Sequence, residues 1–419
     1  MEYGLLGEKL GHSFSPQIHR DLAGYDYQLL PTPPEAVEDL FARRAFQGLN
    51  VTIPYKRTVM PLCDEIDPRA AAIGAVNTVV NRGGRLYGSN TDYDGFAHLC
   101  RSHGVDFAGR TVLLLGTGGT RNTAAAVARD AGAARVLTAS RRPDPARGWI
   151  SYEEAAGSGA QIVVNTTPAG MYPDVGECLL DVAAMPGLEA VVDVVYNPVR
   201  TELLLRAEEA GVPVTACGLE MLVAQAVWAA EAFLDKPFAD REVEIRRSAA
   251  ALRRDILNVS LVGMPSSGKT TLGRALAAAL GRPFVDLDEE IVRAAGRSIP
   301  AIFEAEGEEG FRARETEQIR RFGKESGLLI SCGGGAVKRP ENVRALRQNG
   351  LVLFIDRPLE ALTVGGGRPL SSSPEALRKM EAERRPLYER AADAAVPNDG
   401  TVEQAAARAL ETLNKLFAQ

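Results

Sequence analysis

The chain has 419 residues, of which 45% are hydrophobic and 24% charged, and its formal net charge is −6. At roughly 100–200 residues per domain this length makes two to four domains, and the composition excludes collagen-like, disordered and disulfide-scaffold classes. The charge gives no overall pull toward nucleic acid or an anionic membrane, and no run of about 18 apolar residues marks a membrane span.

The start, MEYGLLGEKLGHSFSP, has no basic segment followed by an apolar one, so no secretory leader is expected. The five cysteines (63, 100, 178, 217, 332) are odd in number and scattered, with no Cys-x-x-Cys pair. They predict reduced thiols in a cytoplasmic setting and no zinc cluster. The four histidines (12, 19, 98, 103) lack metal-ligand spacing, and His12 and His19 read as structural. Residues 1–245 hold 21 Lys and Arg against 31 Asp and Glu, whereas 246–419 hold 27 against 23. Such a division suits two domains with different ligands.

In chain order, residues 1–95 are marked by polar segments: GHSFSP (11–16), GLNVTIPYK (48–56), GAVNT (74–78) and NTDYDG (90–95). From residue 111 short apolar runs alternate with helical stretches. TVLLL (111–115), RVLTA (135–139), QIVVN (161–165) and AVVDVV (190–195) read as buried parallel strands. NVSLVG (258–263), GLLISC (327–332) and LVLFID (351–356) repeat the pattern. Helices are predicted near 122–130, 201–210, 269–280 and 375–392. This alternation predicts an α/β fold, with parallel sheets covered by helices.

The first glycine loop, Gly116-Thr117-Gly118-Gly119-Thr120, follows a strand and opens a helix. Arg121 stands where the last glycine of G-x-G-x-x-G would be, so the dinucleotide fingerprint is incomplete. The next strand ends at Ser140-Arg141-Arg142. An NAD reader wants an acidic residue there for the ribose 2′-hydroxyl; a serine and two arginines suit a 2′-phosphate. The predicted cofactor is NADP(H).

Further on stand NTTPAGM (165–171), Asp193-x-x-Tyr196-x-Pro198 and GLEMLVAQA (218–226). The ordered series of motifs over about 3–235 resembles shikimate dehydrogenase. Glu220, where glycine is frequent, is a small departure. The resemblance implies a substrate-binding part (1–98 and 216–240) and a Rossmann NADP-binding part (99–215) within 1–245. It implies that Ser13 and Ser15 bind the substrate carboxylate, and that Thr52, Asn77 and Gln225 bind its hydroxyls or help fix its orientation. Lys56 and Asp92 would lie at the reacting oxygen, and Tyr196 near the ring. Asn165 and Gly218 would join Gly116, Gly118, Gly119, Thr120, Ser140, Arg141 and Arg142 at the cofactor.

The charged stretch 235–256 reads as the domain junction, with a short, partly helical linker at 246–256. Beyond it, Gly263-Met264-Pro265-Ser266-Ser267-Gly268-Lys269-Thr270 fits G-x-x-x-x-G-K-[ST] between a strand and a helix. Its backbone N–H groups and the helix N-terminus would cradle the phosphates of ATP, with Thr271 just inside the helix. Lys269 would bridge the outer phosphates and Thr270 hold Mg²⁺. Asp286 and Asp288, two apart in FVDLD, read as strand-end residues whose carboxylates point the same way.

Phe311-Arg312-x-x-Glu315, Gly333-Gly334-Gly335 and ERRPLY (383–388) complete an ordered set over about 257–415 that resembles shikimate kinase. The resemblance implies a P-loop, nucleoside-monophosphate-kinase-like domain at 257–419. It implies Asp286 at Mg²⁺, Asp288 at the shikimate hydroxyls, and Arg312 and Arg384 on the carboxylate, with Glu315 orienting Arg312. The three glycines would approach the ring, and Arg368, in a glycine-rich lid segment (364–370), would fold over the ATP phosphates. Together the resemblances imply a bifunctional enzyme that makes shikimate from 3-dehydroshikimate and then phosphorylates it. Homo-oligomerisation is left open. Two rival readings are a quinate-type dehydrogenase fused to another small-polyol kinase, and a non-catalytic ligand sensor.

Overall fold

The computed structural model describes residues 2–11, 13–362 and 373–418. They form two compact units, one ending at Ala249 and the other starting at Ala250.

The first unit contains two sheets. The earlier one is built from β1 (Tyr3–Gly7), β2 (Tyr27–Pro31), β3 (Gly48–Val51), β4 (Glu65–Ile66), β5 (Thr78–Arg82) and β6 (Arg85–Ser89), in the order β2-β1-β3-β5-β6-β4. It is mixed: β1 runs parallel to both neighbours, whereas β3-β5 and β5-β6 are antiparallel. β5 and β6 are joined through Gly83 and Gly84, both at positive φ, which a two-residue hairpin turn favours. The alternating α/β pattern did not reveal this hairpin, because NTVVNRGGRLYGS lies among polar motifs. The Leu219–Leu234 helix packs back onto this sheet, although it follows the second sheet in sequence. Gly48 makes room for it: a Cβ there would stand 2.3 Å from the Phe233 ring.

The second sheet contains β7 (Thr111–Leu115), β8 (Arg135–Ala139), β9 (Trp149–Ile150), β10 (Ile162–Asn165), β11 (Ala190–Asp193) and β12 (Val214–Cys217). All neighbours are parallel, in the order β12-β11-β10-β7-β8-β9. This is the doubly wound dinucleotide topology, whose strand order reverses between β7 and β10. The four long strands expected from the apolar runs are there, and most of their side chains are buried on both faces.

The second unit is a five-stranded parallel sheet of β13 (Asn258–Val262), β14 (Phe284–Asp286), β15 (Leu329–Ser331), β16 (Gly350–Asp356) and β17 (Ala394–Pro397), ordered β14-β15-β13-β16-β17. The P-loop strand β13 is therefore central, and its core is closed by Leu328, Ile330, Val352, Phe354 and Tyr388.

Two local readings change. Residues 246–256 are part of a continuous helix, Arg241–Ile256, whose Ile245, Ala249, Leu252 and Ile256 are buried. Spacings of four, three and four make an apolar stripe, which the abundant charge on the other faces obscured. Asp286 and Asp288 do not share a strand. β14 stops at Asp286, which caps the Leu287–Ala295 helix by accepting from the N–H of Asp288 and Glu289. A carboxylate satisfying orphan N–H groups starts a helix where alternation predicts more strand.

Candidate functional sites

In the first unit a cavity of about 180 Å³ is lined by Ser13, Ser15, Thr52, Lys56, Asn77, Asp92, Tyr196, Gly218 and Gln225, with Thr120 at its edge. The polar motifs converge through backbone bonds. The Val51 N–H donates to the Asn77 carbonyl, Val76 to the Lys56 carbonyl, and Asn77 to the Ser89 carbonyl. Asn90 then caps the Thr91–Ser102 helix through the Tyr93 N–H, while its amide nitrogen donates to the Ala75 carbonyl. That cap puts Asp92 in the first turn, facing the lysine. Lys56 Nζ donates to Asp92 Oδ2 at 2.6 Å in a mostly buried pair.

Asn77 accepts the Thr91 N–H at 2.7 Å and donates to the Thr91 hydroxyl, so it also pins the start of the Asp92 helix. Ser13 Oγ accepts the Ser15 N–H at 3.3 Å. Gln225 lies on the Leu219–Leu234 helix, which meets the Asp92 helix at Gly95; a Cβ there would be 2.8 Å from the Met221 carbonyl. Tyr196 is half-buried, and desolvation pushes its hydroxyl pKa up. The sequence reading gave no role to Asn50, which also lines the cavity and is held by Tyr27 and Thr78. The signal was there: Asn50 and Thr52 are two apart, and a strand aims such residues to one face. The apolar wall of Leu5, Val51, Val194, Met221 and Leu222 carries no comparable motif signal.

The glycine loop leads from β7 into the Gly119–Asp130 helix. Gly116 has φ 98°, and a Cβ on it would be 2.5 Å from Thr167 Cγ2; the space before Gly118 and Gly119 is open. This is a cradle that a side chain would fill, at a helix N-terminus and a strand-order reversal, and it fits a dinucleotide pyrophosphate. Ser140 Oγ accepts the Arg142 N–H, and Arg141 and Arg142 are exposed at the end of β8. Arg121 donates to the Thr138 hydroxyl through Nε and Nη2. The side chain that breaks the glycine fingerprint therefore lies over the strand that ends in the phosphate reader.

Asn165 is placed differently from the expectation. It is buried, accepts from Thr167, and donates to the Ala169 carbonyl and to Asp193 Oδ1 at 3.0 Å. Its amide shapes the loop behind Gly116 instead of facing the cofactor cradle. Asp193 accepts as well from the Thr201 hydroxyl and the Val195 N–H, and burial pushes its carboxyl up to about 6 against those bonds. Gly218 does reach the cavity, and its missing Cβ is essential, since one would stand 2.0 Å from the Val194 carbonyl oxygen.

In the second unit a cavity of about 640 Å³ gathers Pro265, Ser266, Gly268, Lys269, Thr270, Thr271, Asp286, Asp288, Arg312, Glu315, Gly333, Gly334, Gly335 and Arg384. Gly263 and Ser267 build the loop from behind: a Cβ on Gly263 would meet the Ile355 carbonyl at 2.6 Å, and Ser267 is fully buried. Lys269 Nζ donates to the Gly263 and Met264 carbonyls at 2.9 and 2.8 Å. The Thr270 hydroxyl donates to Asp286 Oδ2 at 2.8 Å. This pair of hard oxygen ligands fits Mg²⁺.

Arg312 lies on the Ile299–Gly323 helix, beyond a break at Gly307 (φ 71°). Its Nη1 donates to Glu315 Oε2 at 2.7 Å, and Glu308 flanks it. Burial raises the Glu315 carboxyl, and Arg312 offsets this only in part. Arg384 donates to the Gly334 carbonyl at 3.0 Å. At all three glycines a Cβ would crowd a neighbour. A Cβ on Gly333 would be 2.5 Å from Glu315 Oε1, on Gly334 2.8 Å from Pro265, and on Gly335 2.2 Å from the Arg312 guanidinium. Arg368 and the lid segment lie outside the described residues. Among the described residues no helix is long and apolar enough to cross a membrane.

Comparison with known proteins agrees with both geometries. The family model "Shikimate dehydrogenase substrate binding domain" matches residues 5–79, and "Shikimate kinase" matches 265–414. The NADP(+) shikimate dehydrogenase of Clostridium perfringens (strain ATCC 13124) is 36% identical over 247 residues, 55% of this chain and 90% of that protein. The one from Symbiobacterium thermophilum is 36% identical over 275 residues, 59% of this chain and 92% of that protein. Among solved structures, a chorismate mutase/shikimate 5-dehydrogenase fusion from Clostridium acetobutylicum is similar at TM-score 0.57 and 35% identity, covering 60% of this chain and 96% of that one. The Thermus thermophilus shikimate 5-dehydrogenase in complex with NADP(H) and shikimate gives 0.52 and 32%, covering 59% and 99%.

Proposed function

We propose, for a chain that belongs to the shikimate dehydrogenase family and carries a shikimate kinase domain, two consecutive reactions run by the residues gathered in its two cavities. It is a bifunctional shikimate-pathway enzyme, an NADP-dependent oxidoreductase and an ATP-dependent phosphotransferase. We assign the first activity to 1–245 and the second to 257–419. The observation that carries the residue assignments is the Lys56–Asp92 ion pair, mostly buried in a cavity whose other polar lining is hydroxyls and amides.

In the first reaction 3-dehydroshikimate is reduced to shikimate. Ser13 and Ser15 hold its carboxylate, and Thr52, Asn77 and Gln225 its hydroxyls. NADPH, held at the 116–120 cradle and by Ser140, Arg141 and Arg142, supplies the hydride when bound. Lys56 faces the carbonyl oxygen, where negative charge grows, and an ammonium aimed there contributes several kcal/mol. Lys56 then gives that oxygen its proton. Asp92 holds the lysine and points it inward. Tyr196 closes the ring side.

In the second reaction shikimate takes a phosphoryl group from ATP. Arg312, steadied by Glu315, and Arg384 clamp the carboxylate, the bidentate geometry that a guanidinium fork suits. Gly333, Gly334 and Gly335 let backbone approach the ring. Asp288 accepts the proton of the attacking hydroxyl. Lys269 exchanges the Gly263 and Met264 carbonyls for the outer phosphates. Mg²⁺ at Thr270 and Asp286 supplies charge neutralisation when bound. The odd number and scattered positions of the five cysteines support a reducing, cytosolic location.

The test is substrate choice. Purified protein should oxidise NADPH with 3-dehydroshikimate far faster than it reduces NAD⁺ with quinate, and should consume ATP with shikimate. Preference for quinate with NAD⁺ would overturn the first assignment.

A further inference from the structure

Glu220 is one of the residues at which the chain departs from the motif series, and its surroundings are unusual. It stands in the first turn of the Leu219–Leu234 helix, between Gly218 and Met221, both of which line the dehydrogenase cavity. Two imidazoles hold it. His98 Nε2 is 2.9 Å from Oε1 and His103 Nε2 is 3.2 Å from Oε2. His98 lies on the helix that begins with Thr91 and Asp92, and His103 caps its C-terminal end. The His98 ring is buried, and its other nitrogen is 3.4 Å from Glu242, which Arg101 also engages. Burial alone would raise the Glu220 carboxyl, but hydrogen bonds from His103, His98 and Ser102 outweigh it and hold the group well below the usual carboxylate range.

The clasp joins the two helices on which the cleft depends. One carries Asp92, the partner of Lys56. The other carries Met221, Leu222 and Gln225. Their separation is already minimal at Gly95, where a Cβ would be 2.9 Å from Gln225 Cβ. Sliding or rotation is the freedom that remains, and Glu220 is five residues from Gln225, about one and a half helical turns. A carboxylate in the first turn of a helix also suits that helix's dipole.

We propose that Glu220, held by His98 and His103, is a positioning residue of the dehydrogenase reaction that fixes Gln225 relative to Asp92 and so sets affinity for the hydroxylated substrate. This rests on the dehydrogenase reading of the cleft, which would fail separately, as no NADPH oxidation by the unmodified chain.

The experiment compares Glu220→Gln, Glu220→Asp and His103→Asn in the full-length protein by steady-state kinetics of both reactions. Loss of one charge-assisted hydrogen bond predicts that KM for 3-dehydroshikimate rises about tenfold in Glu220→Gln, with kcat and KM for NADPH nearly unchanged. Glu220→Asp should recover part of that loss. His103→Asn, at a partly exposed position, should shift KM the same way by about threefold. Kinase parameters should stay constant in all three. The proposal is overturned if KM for 3-dehydroshikimate is unchanged in both Glu220→Gln and His103→Asn. It is equally overturned if kcat and both KM values deteriorate together, the mark of general loosening.

Discussion

Lys56 tests the chemistry most directly at the level of single side chains. Its carboxylate partner is 2.6 Å away and the pair is mostly buried, so removal of the ammonium deletes both charge stabilisation and the proton donor. Lys56→Ala should lower dehydrogenase kcat by about 10²-fold or more with unchanged circular dichroism; activity near the parent value would refute its role. Arg312 makes the matching case in the kinase cavity. Arg312→Ala should raise KM for shikimate, and an unchanged KM would refute the carboxylate clamp. Residue identity foretold these groups because their chemistry is written in charge. Asn165 was less legible for the opposite reason: an amide beside a cofactor loop can face either way, and here Asp193, Thr167 and Ala169 take its amide inward.

Asp193 supplies a pH test. Its folded pKa is raised by burial to about 6, above the unfolded value near 3.9. The stabilisation that goes with the protonated form is therefore complete below about pH 4 and is lost as pH rises toward 6, up to about 3 kcal/mol. Asp193→Asn has no such loss. Both tryptophans, Trp149 and Trp228, are in the first unit, so their fluorescence follows its unfolding. Between pH 4 and 7 the parent midpoint should fall relative to that of the variant; parallel curves would contradict the buried-carboxyl account.

Elements were most legible where local pattern and tertiary role coincide. β7, β10, β13 and β16 lie at the apolar runs because central parallel strands are buried on both faces. The β5–β6 hairpin and the Arg241–Ile256 helix were obscure, since one lies among polar motifs and the other is covered with charge. The Asp286–Asp288 pair reaches one cavity by a helix cap where a strand was expected, so the two residues meet although their local geometry differs from the expectation. Junctions between elements are the least tolerant points. Gly218 joins β12 to the Gln225 helix against the Val194 carbonyl. Gly218→Ala should lower the stability of the first unit by about 3 kcal/mol, the cost of forced overpacking, read as a lower denaturation midpoint of tryptophan fluorescence. An unshifted midpoint would mean that the close approach is not needed.

At the scale of the whole molecule, the sequence foretold the two nucleotide sites because phosphate-binding loops combine glycine, a strand and a helix in fixed order. It could not reveal which faces of each unit close over the substrate, since cavity walls such as Leu5 and Val194 are ordinary core residues until folded. Two units with separate cores and separate cavities predict separable activities. Lys269→Met should abolish ATP consumption and leave NADPH oxidation intact, and Lys56→Ala should do the reverse; joint loss in either variant would contradict independence. The most direct measurement incubates the unmodified chain with 3-dehydroshikimate, NADPH, ATP and Mg²⁺ and follows products by mass spectrometry. One shikimate 3-phosphate should form for each NADPH oxidised, with shikimate accumulating when ATP is withheld. NADPH left unoxidised, or shikimate left unphosphorylated with ATP present, would contradict the two-reaction account.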